Sequence, residues 1–145
     1  MRARASIHIE REPSVVFERL ADFASHSSWR TEVVSTQLMG DIDRGARVVQ
    51  RVSLQGRGAV VELEITEFVP PERISFRARG APRGRGGFRL EPEGSGTRVN
   101  ISATVELEGA AALAEDRIRE AAEAGARQSL ARLKAQLEMG GQAGR

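Results

Sequence analysis

The chain has 145 residues, 22 Lys+Arg against 20 Asp+Glu, a formal net charge of +2 and no cysteine. That length predicts one domain with a core of its own, and the missing thiols exclude disulfides, thiolate metal sites and a cysteine nucleophile. The pI of 10.2 reflects arginine, Lys134 being the sole lysine, so the near-balanced charge points to neither nucleic acid nor membrane.

No window approaches the roughly 20 apolar residues of a membrane span. The opening MRARASIHIEREP is basic but has no apolar run of signal-peptide length, so the expectation is a soluble, cytoplasmic protein. Residues 3–10 alternate, with Ala5, Ile7 and Ile9 opposite Ser6, His8 and Glu10, the pattern of a half-buried strand. The period then changes. Val16, Leu20 and Phe23 are spaced for a helix, and Pro13 sits where a first helical turn tolerates it. DFASHSSW continues as a second short helical segment and ends on Trp29, the only tryptophan.

From residue 32 the pattern is β. TEVVSTQLMG, ARVVQRVSLQ, AVVELEITEF, RISFRARG, GGFRLEPEGSG and TRVNISATVEL read as six short strands joined by Gly- and Pro-containing turns. A long helix follows, from about Ala111 to Glu138, with Ile118, Ala122, Leu130, Leu133 and Leu137 on one side. Residues 140–145 read as a flexible tail behind a single domain spanning 1–139. The predicted architecture is α+β. A curved antiparallel seven-stranded sheet wraps around the C-terminal helix, the only large element with an apolar stripe, and two short helices follow the first strand.

The stretches FERLADFASHSSWR, RGARVVQRV, ELEITEFVPPERISFR, EGSGTRVNISATVEL and RLKAQLE carry a resemblance. In this order they resemble the START-like superfamily with its helix-grip fold, and more narrowly the polyketide cyclase/dehydrase and lipid-transport family. The resemblance runs from about Ala5 to Glu138 and is specific for the fold rather than for a reaction. It implies a cavity between sheet and helix that holds an apolar ligand, without a cofactor. It also places Trp29 beside that cavity, where the residue either lines the site or plugs the end of the core.

Within this frame the helix segment EAAEAGA, residues 120–126, offers only small side chains where a packed helix would send Leu or Ile. Those small residues either leave a void or permit close approach of helix and sheet. The expected lining is Val61, Leu63, Phe76, Phe88 and Ile101 from the sheet and Ile118, Ala122 and Gly125 from the helix. Gln50 alternates with Val48 and Val52, so it points inward and needs partners, unless a bulge turns it outward. Turn parity places LQGRG, RGAPRGRGG and SSWR at one end of the sheet. This groups His26, Arg30, Arg57, Arg83 and Arg85 with Trp29 at a pocket mouth suited to the anionic end of a ligand.

Catalytic chemistry is not legible. Glu62 and Glu64 alternate with Leu63 and Ile65 and therefore face solvent, His8 faces water, and His26 alone is a candidate proton shuttle. No metal-ligand spacing occurs. The expected function is binding of an apolar or amphipathic small molecule. The alternatives are an aromatase/cyclase-like enzyme using the same cavity and, ranked below it, RNA binding through the Arg/Gly-rich hairpin FRARGAPRGRGGFR.

Overall fold

A computed structural model describes residues 1–54, 56–80 and 83–143, with the side chains of 140–143 excepted. Strand β1 (Arg2–Ile9) leads into helix α1 (Pro13–Ala21) and the 3-10 helix η1 (Phe23–Ser28). Strands β2 (Val33–Met39), β3 (Arg47–Leu54), β4 (Arg57–Val69), β5 (Arg73–Arg79), β6 (Gly84–Glu93) and β7 (Gly96–Val105) follow as a meander. The short helix α2 (Ala110–Leu113) precedes the long helix α3 (Glu115–Ala143). The helix expected to run unbroken from Ala111 is thus divided at Ala114. Glu115 and Asp116 occupy the new first turn, where acidic side chains complement the helix dipole. The backbone expected to form a tail from residue 140 stays helical to Ala143, and 144–145 lie outside the described residues.

All seven strands form one antiparallel sheet in the order β1-β7-β6-β5-β4-β3-β2. Pairing of β1 with β7 brings the two ends of the β-rich segment together, Ile7 opposite Val99 and Ala5 opposite Ile101. The alternation read from sequence holds along the ladder except at bulges between Val33 and Ser35 and between Ile65 and Glu67. One face carries Val48, Leu63, Ile65, Ile74, Phe88, Leu90 and Val99, and these pack with Val16, Phe17, Leu20, Phe23 and Trp29 beneath Leu130, Leu133 and Leu137.

Helix α3 also covers the open edge of β1. Arg119 donates to the Arg2 carbonyl at 3.1 Å and Glu123 accepts from the Arg4 amide at 3.0 Å. Farther along, Lys134 donates to the His8 carbonyl at 2.8 Å and Glu138 accepts from the Glu10 amide at 2.9 Å. Unpaired strand groups that would otherwise template intermolecular pairing are satisfied by one helix face. Among described strands, β2 is the edge left open.

Two neighbouring glycines set how closely β5, β6 and β7 approach. A Cβ on Gly87 would stand 2.4 Å from the Ile74 carbonyl oxygen, and one on Gly86 would stand 2.6 Å from that of Ser102. Both obstacles are backbone and cannot swing away. Gly87→Ala should therefore destabilise the fold by about 1–3 kcal/mol through overpacking. Gly58→Ala, with nothing within 4 Å of its Cβ, should be neutral in the same urea titration. Equal midpoints for the two variants would contradict this packing.

Candidate functional site

The inner face of the sheet is covered unevenly, because α3 works along half its length. In the second half Ser129, Leu130, Leu133 and Leu137 are buried. In the first half, residues 115–128, no side chain is buried. That half is tied to the edge of β1 by Arg119 and Glu123 and gives the sheet no apolar lid. Below it the inward residues Ala5, Val61, Phe76, Ala78 and Ile101 are only partly buried, although their register faces the core. The first half of α3 thus leaves part of the apolar inner face of the sheet incompletely buried.

Next to Val61 lies a buried polar cluster. Gln50 is inward, 2% exposed, opposite Thr36 on β2 and Val61 on β4. Its carbonyl oxygen accepts from Arg30 Nη1 at 3.4 Å. Its amide nitrogen lies 3.3 Å from Thr36 Oγ1 and 3.4 Å from His26 Nδ1. On the other side of the ring, His26 Nε2 lies 2.9 Å from the Leu20 carbonyl oxygen. A carbonyl only accepts, so Nε2 carries the proton and Nδ1 accepts from Gln50. Burial, reinforced by the positive charge of Arg30, holds the imidazole pKa at about 3.

His26 is therefore neutral at physiological pH with both nitrogens committed, which removes it as a proton shuttle. Arg30 pairs with Glu32 at 3.0 Å. Three buried polar atoms here have no partner among the described residues: Trp29 Nε1, Arg30 Nε and Glu32 Oε1. Unmet buried donors and acceptors of this kind call for a bound water or a ligand's polar end.

The sequence-predicted residues fall into three sets. Gln50, Val61, Leu63, Phe76, Phe88 and Ile101 share the inner face, and Ile118 and Gly125 are partly buried on α3. Phe88 and Leu63 belong to the packed core, whereas Val61, Phe76 and Ile101 remain partly open. A Cβ on Gly125 would meet only Thr31 Oγ1, at 3.6 Å, so Gly125 is not a close-packing contact.

A second set departs from the mouth expectation. Trp29 and His26 are fully buried, because η1 folds inward under the sheet and stacks Phe23, His26 and Trp29 against Phe88 and Phe76. Ala122 is exposed, because the first half of α3 hangs along the β1 edge. Arg85 turns to the outer face, since Gly84, Gly86, Phe88 and Leu90 occupy the inward phase of β6. In the third set, Arg57 starts β4 and Arg83 precedes β6, both exposed, with the Arg83 carbonyl accepting from the Glu106 amide at 2.9 Å. Ala81 and Pro82 of the Arg/Gly hairpin lie outside the described residues. The phenylalanines flanking that hairpin point into the core, away from any base that stacking would need.

Sequence reasoning identified Gln50 as inward but missed the cluster around it. Arg30 and Glu32 sit in an irregular connection where no period marks them, and His26 lies on a 3-10 segment without a repeating face.

Residues 1–138 match the model of a family described as polyketide cyclase / dehydrase and lipid transport. Among solved structures, TTHA0849 from Thermus thermophilus is 21% identical over 97% of this chain and 99% of that one, with a TM-score of 0.84. A START superfamily protein from Mycobacterium smegmatis is 14% identical, covering 95% and 97% of the two chains, with a TM-score of 0.78. The di-domain ARO/CYC protein BexL of the BE-7585A biosynthetic pathway is 18% identical over 93% of this chain and 49% of its own, with a TM-score of 0.78. These likenesses show the fold. No curated protein matches the sequence significantly.

The two histidines should titrate in opposite senses. His8, hydrogen-bonded to Glu10 and Glu93, has its pKa raised above 6.5, whereas His26 is depressed to about 3. The unfolded chain binds a proton at His26 below about pH 6.5 that the folded chain refuses. This group therefore stabilises fully above pH 6.5 and progressively less as the pH falls toward its folded value. NMR titration should find one imidazole protonating above pH 6.5 and the other still neutral at pH 5. Two imidazoles both titrating near the ordinary value would contradict the buried cluster.

Proposed function

The chain belongs to the polyketide cyclase / dehydrase and lipid transport family, and from that premise we propose that it binds an apolar small molecule with one polar end in the hollow beneath the first half of α3. One observation carries this reading. The segment 115–128 buries no side chain above inner-face residues Val61, Phe76 and Ile101 that stay partly open. A wall of apolar groups with a few convergent polar atoms is the usual composition of a small-molecule site. Here the polar groups nearest the open inner face are Gln50 and the Arg30–Glu32 pair beside it. Binding in the cytoplasm, as carriage or sequestration, is the role we assign.

A cyclase working in the same hollow needs a group that takes up a proton there. His26 is the only imidazole on the inner face among the described residues, and it is neutral with both nitrogens engaged. With its imidazole engaged on both nitrogens, His26 favours holding a ligand over transforming it.

Gly125→Leu separates a ligand space from plain packing. With only Thr31 Oγ1 near its Cβ, the variant should fold with unchanged or slightly raised stability, since replacing a mid-helix glycine gains up to about 1 kcal/mol. Its side chain should fill the hollow and weaken binding of the neutral dye Nile red by roughly tenfold or more, a loss of at least about 1.4 kcal/mol. Undiminished dye binding by the folded variant would overturn the reading.

A further inference from the structure

A separate concavity lies on the other side of the sheet. A groove of about 1170 Å³ opens on the outer face of β1, β7, β6 and β5, and no residue of α3 borders it. Register fixes the face. Arg2, Arg4, Arg73, Arg77, Arg85 and Arg89 all border the groove, and all occupy the phase opposite the core residues of their strands. Glu67 is the one carboxylate among the bordering residues, and it is held by the Ser75 hydroxyl at 2.8 Å and by Arg73 at 3.2 Å. Arg77 pairs with Glu64. Arg2, Arg4, Arg85 and Arg89 have no carboxylate partner among the described residues.

The groove has a built floor. Gly87, paired with Ser75 on one side and Ser102 on the other, lies between Arg85 and Arg89. The Ile74 carbonyl forbids a side chain at Gly87. Ser102, Asn100 and Thr104 line the β7 wall with hydroxyl and amide groups. Guanidinium forks around hydroxyls match the geometry of phosphate oxygens. Arg85 and Arg89 are four residues apart, roughly 13 Å along a strand, and β5 and β1 flank β6 at one and two strand spacings of about 4.8 Å. That ring is too wide for one phosphate. We propose that this groove is a second binding site, independent of the inner hollow, for a small molecule carrying a diphosphate or two neighbouring phosphate groups.

The shape selects against larger polyanions. A groove bounded by arginines of β1, β5 and β6 receives a compact group, whereas a membrane or a duplex presents a broad surface. Single-stranded nucleic acid binds through aromatic stacking as well as phosphate contacts, and the two phenylalanines bordering the groove, Phe76 and Phe88, have their rings on the core side.

The test is calorimetric titration of the full chain with inorganic pyrophosphate at low ionic strength, for the native protein and for Arg85→Ala/Arg89→Ala. Both arginines are exposed, so the variant should unfold at the native urea midpoint and bind Nile red as the native protein does. Pyrophosphate should bind the native protein with an affinity that falls as salt is added. Because hydrogen bonds to charged groups are the strong ones, the double variant should lose at least about tenfold. A nucleoside diphosphate competing with pyrophosphate would support the site and begin to name its ligand. The proposal is overturned if pyrophosphate does not bind, if it binds the double variant equally, or if the groove arginines matter only for an oligonucleotide or for anionic vesicles.

Discussion

One helix has two surfaces to cover, the inner face of a seven-stranded sheet and the unpaired edge of its first strand. The described contacts divide that labour along α3. Its second half buries Leu130, Leu133 and Leu137 against the core while Lys134 and Glu138 reach the β1 backbone. Its first half keeps only the edge contacts through Arg119 and Glu123. An edge strand satisfied by side chains must hold the helix beside it. The helix start makes edge contacts alone, and Val61, Phe76 and Ile101 on the inner face stay partly open.

The polar cluster follows from the same constraint. With the far end of the core filled by α3, η1 turns inward and places Phe23, His26 and Trp29 against Phe88. That brings His26 to Gln50 and makes the imidazole a neutral structural group, its two nitrogens bridging η1 to β3. The cost of burying these groups is offset by their mutual hydrogen bonds, except at the three atoms that nothing meets. On the outer face the strand alternation that builds the core collects arginines, and the glycines that let β5–β7 approach leave a floor between them. One sheet thus carries a partly open apolar surface on one face and a cationic groove on the other.

The sequence made the strands legible because they alternate with period two, and Gln50 stood out as a polar residue in an inward phase between Val48 and Val52. The long helix was legible from its apolar spacing, but its break at Ala114 was not, since alanine favours continuing a helix. Trp29, His26 and Arg30 were read at a mouth because turn parity locates the end of the sheet, not the depth to which a connecting segment folds. Arg85 was misplaced for a related reason. Proximity to a turn suggested an end, while its phase in β6 assigned it to the outer face. The outer groove itself had no sequence signal, because its arginines come from separate strands and meet only through register.

The most direct test of the account is where an apolar ligand touches the protein. NMR spectra of the complex with a protonated fatty acid should show intermolecular NOEs to the methyl groups of Val61, Ile101 and Ile118 and to the ring of Phe76. Contacts confined to Val34 and Val60, which are exposed beside the open β2 edge, with none to the inner set, would contradict it.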